Sequence, residues 1–137
     1  MKIVEANRRF VFIHHLVGGS PMNNRGSVEV ARLVKHGVSI VFHGHDHLFI
    51  NQDLDGIYYQ EVPQPGHPRS GNTNTAKEYG YLSGEIQSSS GYVRVRVGQD
   101  ENRVDYVRTF LPAAESQSRQ NGDISFSYTV RGSSNSL

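Results

Sequence analysis

Phe10, Val11, Phe12 and Ile13 form an unbroken apolar run, rich in aromatic and β-branched residues, that stops at His14 and His15. Such a run predicts a buried strand. Residues 16–26 hold three glycines, Pro21, Asn23 and Asn24, a composition that excludes regular structure. Ser27 can cap the next segment, where Val30, Ala31, Leu33 and Val34 recur mostly at helical spacing, and Gly37 supplies a left-handed residue to close a helix. A helix is therefore predicted over about 28–36. Val38, Ser39, Ile40, Val41 and Phe42 then give a second strand. Strand, helix and strand in this order make a βαβ unit, whose right-handed crossover forces the two strands parallel. Both then end at one sheet edge, the edge where open α/β sheets bind ligands. His14 and His15 close one strand; His43, Gly44, His45, Asp46 and His47 close the other.

Past residue 48 the pattern becomes β-rich. Asp55 and Gly56 signal a turn into a strand over 57–62. Residues 63–77, with three prolines and several Asn and Thr, read as a long ordered loop. Val93, Val95 and Val97 alternate with Arg94 and Arg96, and 103–110 forms the antiparallel partner across a turn at 98–102. On that hairpin Arg94 and Arg96 are expected to form a solvated face opposite acids such as Asp105. Ile124, Phe126, Tyr128 and Val130 repeat the two-residue period, and 131–137 is too polar to pack.

The whole chain is 137 residues with a formal charge of +1 and 36% hydrophobic residues, which fits one ordinary domain or a piece of one. No long run of either sign predicts a nucleic-acid or membrane partner, and no apolar stretch approaches the roughly 18 residues of a spanning helix. The absence of cysteine removes disulfides and thiolate metal sites. Histidine is what stands out: seven residues, all but His67 between positions 14 and 47. In extended backbone His45 and His47 would project to one side, and Gly44 would let the chain approach an ion. Imidazole suits zinc, iron and manganese. His36 reads as a helix-end cation, His67 as solvated, and Arg25 as either a surface residue or an oxyanion contact.

These residues carry a resemblance. The segments 12–19, 37–47, 54–57 and 60–65 resemble the C-terminal half of the calcineurin-like metallophosphoesterases, which include the purple acid phosphatases. The resemblance implies an α/β (α+β) fold, half of an αββα sandwich with one βαβ unit followed by antiparallel strands. It implies that residues 1–110 are the C-terminal part of the phosphoesterase domain and 111–137 an extension with one strand and a disordered end. It also implies that His14 and His45 bind one metal and His47 another, that His15, the catalytic residue, faces the phosphate or stands just behind the ligands, and that His43 and Asp46 orient the ligands or are structural. Two divalent or trivalent ions, manganese, iron or zinc, would activate water for attack on a phosphate mono- or diester. Likeness to exported bacterial members implies a secreted or periplasmic location.

The family's N-terminal motifs, Asp-x-His, Gly-Asp-x-x-Asp and Gly-Asn-His-Asp or Glu, do not occur in this sequence. Three imidazoles bring no charge to balance two dications. The expected enzyme is therefore a metal-dependent phosphoric ester hydrolase in which this chain is a fragment needing a missing N-terminal half, inactive when isolated. The other reading is a non-catalytic, β-rich binding or interaction module, or an inactive relative, whose histidines are structural or hold a single ion.

Overall fold

The structure is a computed structural model and describes residues 8–14, 28–66 and 72–131, with only the backbone described over 28–31. Strand β1 (Arg9–Phe12), helix α1 (Val28–Lys35) and strand β2 (Val38–His43) form the βαβ unit, with β1 and β2 parallel. Gly37, at φ +62°, ends α1 as its left-handed closure. The predicted loop over 16–26 lies outside the described residues.

The turn at Asp55 and Gly56 joins two strands, β3 (Leu48–Leu54) and β4 (Ile57–Glu61). Both turn residues have positive φ, 56° and 78°, the conformation that lets a two-residue hairpin follow the twist of its strands. Strand β3 breaks the apolar alternation because Asn51 and Gln52 are buried in it. Their amide N–H groups find acceptors: Asn51 Nδ2 donates to Gln60 Oε1 at 3.3 Å, and Gln52 Nε2 to the Ser83 carbonyl at 2.9 Å. A buried strand can carry polar residues when their donors find acceptors, and a reading of alternation alone misses it.

Helix α2 (Thr75–Glu78) falls in the region predicted as loop, and strand β5 (Glu85–Ser88) follows it. The first sheet has the order β1-β2-β4-β3-β5, with β1, β2 and β4 parallel and β3 antiparallel to both β4 and β5. The second sheet is antiparallel, β6 (Gly91–Val97), β7 (Glu101–Arg108) and β8 (Ile124–Arg131) in that order.

Side-chain alternation builds the layers. Ile40 and Phe42 of the first sheet pack on Val104 and Val130 of the second, and Phe49 stacks on Tyr106 with ring centroids 4.3 Å apart. Tyr106 also donates from its hydroxyl to the Ser88 carbonyl at 2.6 Å, tying the two sheets together. Burial pushes that phenol up to about 12, although Arg108 pulls the other way. On the opposite face of the first sheet, Val41, Ile57 and Tyr59 meet Leu33 of α1, while Leu48 and Ile50 meet Ala76 and Tyr81. The result is mixed α/β with few helices: a helical layer, a five-stranded sheet and a three-stranded sheet, consistent with part of an αββα sandwich. Among the described residues no helix is long and apolar enough to cross a membrane.

Candidate functional site

The three parallel strands end at one edge, and their ends interlock. The Ile13 N–H donates to the Phe42 carbonyl at 3.0 Å, the Gly44 N–H to the His14 carbonyl at 2.9 Å, and the Val62 N–H to the His43 carbonyl at 2.7 Å. This edge gathers His14 from the end of β1, His43 from β2 and Glu61 from β4. Residues 44–47 then leave the sheet as an irregular loop. In that loop His45 has φ 109° and His47 φ 57°, values that cost side-chain-bearing residues of order 1–3 kcal/mol and persist only where the surroundings outweigh that cost.

The holding groups lie beneath the loop. His43 and Glu61, both buried, are register partners on β2 and β4, and His43 Nδ1 stands 2.5 Å from Glu61 Oε2. The other Glu61 oxygen accepts the Asp46 N–H at 2.9 Å, and the Asp46 carboxylate accepts the Tyr81 hydroxyl at 2.9 Å. The Tyr81 ring lies nearly parallel to His43, with centroids 6.4 Å apart. Burial pushes the Tyr81 phenol strongly up, and the negative Glu61 and Asp46 push it further. The hydroxyl therefore stays a donor, and one chain of contacts runs from β2 through β4 and the loop to the segment after α2.

Beside this brace is an open cleft of about 350 Å³ lined by Phe12, Ile13, His14, Phe42, His43, Gly44 and Val62. Phe12 stacks on Phe42 at 5.0 Å yet is 74% exposed. His14 and His45 meet edge to face with centroids 5.6 Å apart. The walls are mostly carbon, with imidazole at one side.

Several expectations are corrected here. Among the described residues no group of three or more His, Cys, Asp or Glu stands so as to hold a metal ion. That overturns the dinuclear site, the two manganese, iron or zinc ions, the metal-dependent phosphoesterase activity and the phosphate-ester substrate it would have processed. The physical reason is the backbone. The same-side projection of His45 and His47 assumed extended chain, whereas both have positive φ in a bent loop. His43 and Asp46 turn to Glu61 and Tyr81. Gly44 is not demanded by close approach either, since a Cβ there would lie 3.7 Å from the His14 carbonyl oxygen, an ordinary contact.

His14 and His45 do come together, and His47 lies two residues on in the same loop. His15, the expected catalytic residue, lies outside the described residues, as do Arg25 and His67. Sequence reasoning missed Glu61 and Tyr81. Glu61 carried a signal, an acid at the end of an apolar strand run; Tyr81, near the site only through packing, carried none.

The fold defines the class first: a mixed α/β, two-sheet sandwich. No family model matches the chain, and no curated protein matches it. Among solved structures, the chain is similar to one described as "GAP50 the anchor in the inner membrane complex of Plasmodium", with a TM-score of 0.56 and 12% sequence identity. The match covers 91% of this chain and 35% of that one, so the chain spans about a third of its length. This is a weak, partial structural homology to a protein of calcineurin-like fold, and it shows the fold alone.

Proposed function

We propose that this chain is a non-catalytic interaction module on part of a calcineurin-like sandwich. Its histidines brace the sheet edge, and the adjacent cleft receives an apolar side chain from a protein partner. The observation that carries this reading is the buried pairing of His43 with Glu61 beside a cleft walled by Phe12, Ile13, Phe42 and Val62. Imidazoles that hold a loop need no ion. An apolar cleft with a few polar groups at one side is the usual form of a binding site. His14 and His43 supply its polar side. The description of GAP50 as an anchor supports attachment over turnover for a chain of related fold.

Two measurements test this. Addition of manganese, zinc or iron is expected to leave the melting temperature unchanged and to produce no hydrolysis of an aryl phosphate. Peptides bearing one aromatic or aliphatic residue in a polar background are expected to bind, and Phe12→Ser to weaken them about tenfold. Metal-dependent turnover lost in His45→Ala, or peptide binding indifferent to Phe12→Ser, overturns the reading.

A further inference from the structure

The outer face of the second sheet carries an arrangement that the cleft does not use. Asp105, in the central strand β7, is fully buried, and three arginines converge on it. Arg94 Nη2 lies at 3.0 Å, Arg96 Nη2 at 2.7 Å and Arg103 Nε at 2.8 Å, while the Ser127 hydroxyl donates to it at 2.7 Å. One carboxylate balances one guanidinium, so the cluster keeps a surplus of about two positive charges. The arginines are 41%, 56% and 48% exposed. Arg96 and Arg103 are direct cross-strand partners, a like-charge pairing that is unfavourable by itself. The shared acid holds them together, pre-organised.

Arg94 and Arg96 also sit on an edge. Among the described residues β6 pairs only with β7, so its other side presents unmatched backbone N–H and C=O groups. Its side chains alternate, Val93 and Val95 toward the inter-sheet core and Arg94 and Arg96 outward. Val97 is 70% exposed. Charge on an edge blocks self-pairing, since a second copy in register would bring arginine against arginine. It does not block a strand of opposite charge.

We propose that β6 is a docking edge for an extended acidic segment of another protein, one that alternates carboxylate and apolar residues. Such a strand adds to the sheet through its backbone, and its own two-residue repeat matches that of β6, about 6.7 Å. Its carboxylates fall opposite Arg94 and Arg96 and cancel the surplus charge, while its apolar residues extend the row of Val93, Val95 and Val97. A long polyanion such as nucleic acid fits less well, because the arginine cluster is bounded by Asp100 and Glu101 at the turn. Glu101 itself faces Arg131 at 3.8 Å.

The test uses the full chain and short capped peptides alternating valine with glutamate, lysine in place of glutamate, or proline at the centre. The glutamate peptide is expected to bind at low salt and to protect β6 amides from hydrogen exchange, and the other two are expected not to. Arg94→Gln and Arg96→Gln, each leaving Asp105 two guanidiniums, are expected to weaken binding roughly tenfold at unchanged melting temperature. The proposal is overturned if β6 gains no protection, if the lysine peptide binds equally, if both variants bind like the parent, or if single-stranded DNA or anionic vesicles compete more strongly than the peptide. Phe12→Ser, which disables the cleft, is expected to leave this binding intact, so the two sites fail separately.

Discussion

Two buried acids show how differently this molecule solves one problem. Asp105 and Glu61 are both fully buried, and a lone charge in such a place is costly. Asp105 is met from its own sheet, by residues whose positions follow from strand alternation: Arg94 and Arg96 on β6, Arg103 on β7 and Ser127 on β8. Glu61 is met by one imidazole from a parallel neighbour and one backbone N–H from a loop of positive φ. The first arrangement is redundant, with several donors to one acceptor. The second is a chain of single contacts, in which each link is needed by the next.

That contrast is open to measurement. The largest effect is expected at the non-redundant pair. His43→Ala leaves Glu61 buried without its side-chain partner and should cost about 3–5 kcal/mol in urea unfolding. The double change His43→Leu with Glu61→Leu should recover much of that loss, because the acid and its partner go together. If the single and double variants are equally damaged, the pair is not what holds the edge.

A smaller effect is expected at the redundant acid. Asp105→Asn should cost about 2 kcal/mol, since the half-exposed guanidiniums regain water when the charge is removed. The pH dependence carries a sharper signature. Burial pushes the Asp105 carboxyl up, but hydrogen bonds from Arg103, Ser127, Arg96 and Arg94 outweigh it and hold it well below the ordinary 3.8. On acidification the unfolded chain therefore takes up the proton first. The stabilisation is fully present above about pH 4 and is lost as the pH falls toward the folded value. Urea midpoints between about pH 2 and pH 5 should drop for the parent and stay flatter for Asp105→Asn.

The smallest effect falls at the end of the brace. Tyr81→Phe removes one hydrogen bond to Asp46 while keeping the ring on His43, and should cost about 1 kcal/mol. Added to His43→Ala, it should cost less than that, because the link it serves is already broken. Full additivity would show that Tyr81 and His43 do not belong to one network.

Much of the second sheet was legible because its determinants are local. Val93, Val95, Arg94 and Arg96 alternate as a half-buried edge strand must, and Asp105 stands where the antiparallel register puts it. The βαβ unit was legible for the same reason: an apolar run, a capped helical period, a closing glycine and a second apolar run. Strand β3 was not, because Asn51 and Gln52 interrupt its alternation and donate to partners distant in sequence, on β4 and in the segment before β5. The site misled for a related reason. A cluster of histidines near two strand ends reads as a metal centre when the intervening chain is taken as extended.

Residue order alone therefore fixed the strand ends, the parallel pairing of β1 with β2 and the gathering of His14 and His43 at one edge, since short-range periodicity and chirality dictate them. What tertiary packing decided is the course of the loop and the partner His43 meets. Glu61 arrived from a third parallel strand and Tyr81 from beyond α2, and both bind Asp46, which stands between the positive-φ residues His45 and His47. Side-chain direction in an irregular loop depends on partners distant in sequence, and no local pattern records them.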